Sequence, residues 1–257
     1  ICKMEADAMR NHRLVDLPTN GAVFETSRPV RTGDIDVSGT VRLDGVARYL
    51  QDIGFDDLDA SGAAAAHPVW VVRRTVIDVI RPVSWPARVR MRRWCSGLSS
   101  RWCTMRVRIE SDGGGLIETE GFWINLNPVN GMPSRIEESF MAGLGSTAND
   151  HRLKWKPWHT AHPGDGEETT FVLRSSDIDP FNHVNNATYW QPVEDLIRDW
   201  AGPRNPLPYR AILEYRSPIT AGNDVTVRYH SSGESLSSWF LVSGSVCASA
   251  YVTAIEV

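Results

Sequence analysis

Asp177-Ile178-Asp179-Pro180-Phe181-Asn182-His183-Val184-Asn185-Asn186-Ala187-Thr188-Tyr189-Trp190-Gln191-Pro192-Val193-Glu194 is the stretch whose reading decides the fold. Its first ten residues hold two carboxylates, a histidine and three carboxamides. Apolar residues then recur with helical spacing, Tyr189, Val193, Leu196 and Trp200 falling at i, i+4, i+7 and i+11. The spacing predicts a polar loop that delivers the chain to a helix N-terminus. Unpaired N–H groups and the positive end of the macrodipole there polarise a carbonyl. Taken singly, each residue has a plainer role, Asn185 or Asn186 as an N-cap and the aspartates as turn formers. A cap uses one side chain, whereas this loop spends six, and that excess points to chemistry. Pro192 lies inside the expected helix, so either the helix bends there or its boundary lies elsewhere.

The stretch has a shorter echo upstream. Asp34-Ile35-Asp36-Val37-Ser38-Gly39-Thr40-Val41 aligns with Asp177 to Val184 at an offset of 143 residues, and each is followed by a helical pattern. In the first copy Val46, Leu50, Ile53 and Phe55 supply the apolar positions, and the helix is expected to end at Ser61-Gly62. Arg81 to Met91 parallels Ser217 to Val227, and Leu98-Ser99-Ser100 parallels Leu236-Ser237-Ser238, at offsets of 136 and 138. The chain therefore reads as a duplication: a tail over 1–22, a first domain over 23–140, a linker over 141–169 and a second domain over 170–257. Alternation in Val89-Arg90-Met91 and Met105-Arg106-Val107-Arg108-Ile109 predicts antiparallel strands with one wet face. One helix per four- to six-stranded sheet is an α+β layer, and the sheet must wrap the helix to bury it. Gly- and Pro-rich as it is, the linker carries Trp155 and Trp158, which predicts that it packs on something.

Composition narrows the class. The 257 residues are 42% hydrophobic and 23% charged, with a net charge of -4, which argues against a nucleic-acid protein. Cys2, Cys95, Cys103 and Cys247 show no Cys-x-x-Cys spacing, so a reducing cytoplasm is expected, with the strand cysteines buried and inert. No apolar run approaches a membrane span. His159 and His162 have ligand-like spacing but Pro163 follows at once and no acidic partner is in phase, so no metal is expected, and no cofactor. A Gly-x-Ser-x-Gly elbow is absent from the sequence, which disfavours an α/β-hydrolase route.

From about Phe24 onward the chain resembles the acyl-acyl-carrier-protein thioesterases of plants and bacteria, which are built from two hotdog domains in tandem. The resemblance rests on the stretch from Arg31 through Val46 to Leu50, on Trp70-Val71-Val72-Arg73-Arg74, on Asp179, His183-Val184-Asn185-Asn186 and Tyr189, and on Leu213-Glu214-Tyr215-Arg216. It implies that the second domain carries catalysis and the first shapes the acyl pocket. Independently, the first copy has Thr40 where the second has His183, so the first is expected to be silent. Two positions depart from the family pattern. Phe181 stands where plant members have an asparagine, and Pro218 stands where they have a glutamate. Asn182 is the candidate for the carboxamide and Glu194 for the carboxylate.

The expected reaction is hydrolysis of fatty acyl carrier protein to free acid. Asp179 acts as nucleophile or general base, and His183 orients water or protonates the leaving thiolate. The helix start at Val184, Asn185 and Asn186 is expected to hold the oxyanion, with Phe181, Tyr189 and Trp70 as substrate contacts. Arg88, Arg90, Arg92, Arg106 and Arg108 alternate onto one sheet face, either as a solvated surface or as a docking patch for the acidic carrier protein. The alternatives are an acyl-CoA thioesterase, an enoyl-thioester hydratase, whose histidine spacing is one residue wider, and a non-catalytic acyl-thioester-binding regulator. A tandem pair can complete its own site, so a monomer and a homodimer are both allowed.

Overall fold

The computed structural model describes residues 3–159, 162–201 and 208–256. In chain order the elements are α1 (Lys3–Arg10), β1 (Phe24–Pro29), α2 (Leu43–Ala60), β2 (Trp70–Arg81), β3 (Arg88–Leu98), β4 (Trp102–Ser111), β5 (Leu116–Asn125), α3 (Glu138–Gly145), β6 (Glu167–Phe171), α4 (Trp190–Ala201), β7 (Tyr209–Tyr215), β8 (Val225–Ser232), β9 (Ser235–Val242) and β10 (Ser245–Ala254). The strands make one ten-stranded antiparallel sheet in the order β1-β3-β4-β5-β2-β7-β10-β9-β8-β6. Read outward from the β2–β7 seam, the two halves have the same order, so the sequence repeat reappears as a pseudo-twofold about that seam.

Alternation decides which residues meet the helices. On β3, Val89 and Met91 are buried, whereas Arg88 and Arg90 are exposed. Helices α2 and α4 lie on the apolar face and touch each other, and a single cluster containing Val46, Ile53, Ile77, Val193, Leu213 and Phe240 runs through both halves. This is the expected α+β layout of sheet wrapped around helix, with the two half-sheets fused into one. At the seam, Arg74 is opposite Glu214 and Asp78 opposite Arg210, with Val76 and Ile212 between them. Arg210 grips Asp78 with two bonds of 2.7 and 2.6 Å, both partners buried. A one-residue slip would leave those charges unpaired in the interior, so the pairs fix the register.

Two segments cover the far face of the sheet. Instead of a free tail, the N-terminal segment crosses the seam. Met9 is fully buried against Val76, Ile212 and Tyr251, and Arg210 donates to the carbonyls of Met9 and His12 at 3.0 and 2.6 Å. The linker completes that layer. Trp158 lies 3.4 Å from the Arg74 guanidinium, Trp155 packs on Phe122, and the N–H groups of Trp158 and His159 donate to Glu214. Burial is the main cause that pushes the His159 imidazole down to about 3, with the Arg216 charge adding to it.

The helices also differ in detail. Phe55, expected to pack inward, is 68% exposed on α2. Helix α4 begins at Trp190, after a turn over residues 186–189. Pro192 therefore sits in the first helical turn, where its missing N–H has no intrahelical partner to lose, so the position of the boundary accounts for it.

Candidate functional site

The two loops before the helices share their backbone turn bonds, with a Ser38 hydroxyl bond to Asp36 Oδ1 added in the first. In the second, the Asp179 carboxylate Oδ1 accepts from the N–H groups of Phe181 and His183 at 2.9 and 3.1 Å. The Asp179 N–H donates to the His183 carbonyl at 2.8 Å, and the Asn182 N–H to the Asp179 carbonyl at 3.0 Å. In the first, Asp36 Oδ1 accepts from the N–H groups of Ser38 and Thr40 at 2.8 and 2.9 Å. The matching backbone bonds, Asp36 N–H to Thr40 and Gly39 N–H to Asp36, measure 2.8 and 3.0 Å. Asn182 has a φ of 61° where Gly39 has 82°. Its identity is thus accounted for by a left-handed position that asparagine tolerates. Asp34 and Asp177 are buried beneath the loops, each accepting from the backbone N–H three residues earlier.

Asp179 thereby spends one oxygen on its turn and keeps Oδ2 without a partner among the described residues. The His183 ring, half-buried, also makes no hydrogen bond among them. Asn185 caps the following turn, Oδ1 accepting from the Ala187 N–H at 2.9 Å. It accepts a second bond, 3.0 Å, from Gln51 Nε2 on α2 of the other half. The backbone N–H of Asn186 donates to nothing among the described residues, while its carbonyl accepts from the Tyr215 hydroxyl at 3.0 Å.

Asn186, Gln51 and Tyr215 all line a cavity between α2 and the strands β2, β4 and β5. Its wall is largely apolar, with Leu50, Val72, Val107 and Trp123, and its free volume is about 30 Å³, within a space of about 460 Å³ that includes open solvent. Gln51 is a site residue that the sequence reading missed. The signal was available, because Gln51 and Glu194 are separated by the same 143-residue offset as the loops.

The other expected site residues disperse. Glu194 sits beside the first loop, where its Oε2 accepts from the N–H of Leu43 at 2.8 Å. Burial is the main cause that pushes it up to about 7; the Leu43 N–H opposes, and Asp44 and Asp36 add to the rise. Phe181 is 66% exposed and Asn182 is exposed, so the carboxamides at the cavity come from Gln51 and Asn186 instead. Tyr189 is core, with ring centroids 5.4 Å from Tyr215 and 5.3 Å from Phe240. Trp70 packs edge-on to His67 and Phe140, away from the cavity, whereas Trp123 lines it. Val184 is buried, and its N–H donates to the Ile219 carbonyl at 2.8 Å.

The arginine face is real but neutralised. Arg90 pairs with Glu25 at 2.7 Å, Arg92 with Glu110, and Arg108 with Glu118 at 2.5 Å, while Arg88 is exposed. Arg106 does not belong to that surface. Only 1% exposed, it lies over Trp94 and donates to the Val15 carbonyl beneath the N-terminal segment. Among the described residues no group of three or more His, Cys, Asp or Glu side chains is placed to hold a metal, and no helix is long and apolar enough to cross a membrane.

Residues 21–144 match the family model for the acyl-ACP thioesterase N-terminal domain, and residues 160–248 match that for the acyl-ACP thioesterase C-terminal domain. The chain belongs to the acyl-ACP thioesterase family. It is a thioester hydrolase. An uncharacterised protein of Mycobacterium tuberculosis is 47% identical over 237 residues, 92% of this chain and 94% of that one. Two solved acyl-ACP thioesterases share the fold at low identity. That of Bacteroides thetaiotaomicron superposes with a TM-score of 0.74 at 15% identity, covering 90% of this chain and 97% of its own. The 12:0-ACP thioesterase of Umbellularia californica does so with a TM-score of 0.71 at 18% identity, covering 92% and 98%. The architecture is accordingly the hotdog type characteristic of acyl-ACP thioesterases.

Proposed function

We propose that this protein hydrolyses fatty acyl carrier protein to the free acid and the carrier thiol, at the cavity that Asn186 lines. The first half (23–140) forms the acyl pocket and the second (170–257) the catalytic centre. The observation that carries the reading is that Asn186, whose N–H has no partner among the described residues, lines a largely apolar cavity. The loop leading to it bears a carboxylate oxygen and an imidazole that are both free to react.

The acyl chain lies along α2 and its thioester carbonyl meets the Asn186 N–H. Asp179 Oδ2 takes a proton from water as the water oxygen bonds to the carbonyl carbon, and negative charge collects on the carbonyl oxygen. Collapse breaks the C–S bond, and His183 delivers a proton to the departing sulfur, being reprotonated from Asp179. Gln51 touches none of the reacting atoms. It is a positioning residue that holds the Asn185 cap and, through it, the turn presenting the N–H.

The decisive assay follows thiol release from acyl-carrier-protein and acyl-CoA substrates of graded length, with Asp179→Asn alongside. Release abolished by the substitution is the expected result, and equal rates in both proteins would overturn the assignment. Carrier recognition by the arginine face adds a condition. Charge reversal at Arg90 and Arg108 must raise KM for carrier-bound substrate alone, and an unchanged KM removes that face from the mechanism.

A further inference from the structure

Residues 151–159 read His-Arg-Leu-Lys-Trp-Lys-Pro-Trp-His, a run with no acidic member that holds two of the three lysines in the chain. In the fold this run is a strap across the far face of the sheet, tied down by its backbone. The Asp150 carbonyl accepts from the Leu98 N–H at 2.7 Å, that of Leu153 from Trp102 Nε1 at 2.8 Å, and that of Lys156 from Arg74 Nη2 at 2.8 Å. Leu153 and Trp155 are half-buried against Gly97 and Phe122. Arg152, Lys154 and Lys156, alternating with them, are exposed and have no carboxylate partner among the described residues.

The strap crosses where β2 begins and β7 finishes, and the Asp179 loop belongs to the same end of the sheet, because His183 bridges to Thr220 just past β7. Arg73 of β2 joins the two. Its guanidinium lies 5.4 Å from the Trp155 ring, and its Nη1 donates to the Arg216 carbonyl at 3.1 Å. Arg216 follows Tyr215, whose hydroxyl holds the Asn186 carbonyl. Arg73 has no ion pair among the described residues, and its Nε–H is buried with no hydrogen-bond partner. The arginine face differs on both counts. Arg90, Arg92 and Arg108 are already paired, and the register from Arg90 through Glu110 and Leu116 reaches Arg81, the other terminus of β2.

We infer that the strap and Arg73 form the docking surface for the acidic carrier protein, Arg152, Lys154 and Lys156 taking its carboxylates and Arg73 the phosphate of its phosphopantetheine arm. The inference rests on the thioester-hydrolase reading and deepens it by naming how the partner is held. With a net charge of -4 the chain as a whole repels an acidic partner, so a local patch of free cations is what orients the encounter. Lysine gives a mobile point charge for a protein surface, and the planar fork of arginine matches phosphate. From Arg73 the arm passes over the end of the β2–β7 seam to bring its sulfur to the Asn186 N–H. A carrier on the arginine face would first have to break the Arg90–Glu25 pair and would start from the wrong end.

Lys154→Glu with Lys156→Glu reverses the strap and spares its backbone attachments, Arg73→Gln removes the phosphate contact, and Arg90→Glu with Arg108→Glu is run in parallel. One acyl group is presented on carrier protein, on coenzyme A and on pantetheine, which lacks the phosphate. Binding of a non-hydrolysable acyl-carrier thioether is measured by titration. Reversal of the strap should raise KM for carrier-bound substrate and Kd for the thioether by about tenfold or more, with kcat and acyl-pantetheine turnover within about twofold. Arg73→Gln should raise KM for the carrier and coenzyme A substrates by about three- to tenfold and spare acyl-pantetheine, whose turnover also reports that the variant has folded. Should Arg73→Gln not fold, the strap variant decides alone. Unchanged carrier KM and Kd on strap reversal, or a rise confined to the Arg90 and Arg108 variant, overturns the surface. So does loss of binding to anionic phospholipid vesicles with carrier binding intact, which would make the strap a lipid contact. Carrier binding that is lost on strap reversal, without thiol release from any substrate in the wild type, would leave the surface standing and remove the catalytic assignment.

Discussion

The loop at Asp36 and the loop at Asp179 share a backbone and differ in what their helix starts do with a free N–H. In the first copy α2 begins at Leu43, directly after the loop, and the Leu43 N–H is satisfied by Glu194 reaching across from α4. In the second, a non-helical turn separates the loop from α4, and the matching N–H, that of Asn186, is left open at the cavity. Gln51, the counterpart of Glu194, stops at the Asn185 cap. A carboxylate occupies one site and a neutral carboxamide stands beside the other. The aspartates themselves do not distinguish the copies. Asp36 and Asp179 accept the same turn bonds, so the shared part of the motif is architecture, and any chemistry lies in what the turn leaves over.

The sharpest break of this comparison is a pair of identical substitutions. Asp179→Asn and Asp36→Asn both retain the Oδ1 acceptor and hence the turn. We expect the first to lower kcat by about 10²- to 10⁴-fold and the second to leave it within about twofold, measured as thiol release per folded enzyme. Equal effects would mean that both aspartates are only turn formers. The next effect follows from making the second site resemble the first. Gln51→Glu offers the Asn186 N–H a carboxylate like the one Leu43 already holds, so substrate must displace it. A loss of about 10- to 100-fold is expected near neutral pH, with Gln51→Ala losing less. Recovery of Gln51→Glu as pH falls and the new carboxyl protonates would identify self-occupation, and a flat pH profile would exclude it.

Much of this was legible in the chain because the repeat lies in contiguous residues. The offset between Asp34 and Asp177 announced two matching loops, and alternation around Met91 and Val107 announced the sheet and its faces. What was hidden depends on contacts without a local pattern. Alternation places Arg106 on the outer face, yet nothing nearby says that residues 3–16 cover it through carbonyl groups. Asn182 reads as a catalytic carboxamide until Gly39 is set against it, when its positive φ becomes the reason for its presence. Glu194 reads as the carboxylate of the Asp179 site, whereas in the fold it accepts from the N–H of Leu43 beside the first loop. In a pseudo-twofold the facing helix serves the other copy, and extending the repeat past the loop would have exposed Gln51 as well.

The smallest effect tests whether the first site is occupied for structural reasons alone. A Glu194 carboxyl near 7 in the fold and 4.5 as an unperturbed group keeps its proton in the native state while the unfolded chain has lost it. Between those values the unfolded state binds fewer protons, so this residue's contribution is greatest below about pH 4.5 and is lost as pH rises through about 7. Glu194→Gln stays neutral throughout, and its amide oxygen still accepts from Leu43. The variant should match the wild type at about pH 4 and exceed it by about 1–3 kcal/mol at about pH 8 in urea unfolding, with thiol release changed by less than about twofold. Equal stability at both pH values would remove the buried-carboxylate account. A large loss of activity would show instead that the loop carrying Thr40 takes part in the chemistry, and the asymmetry between the two copies would have to be redrawn around Glu194.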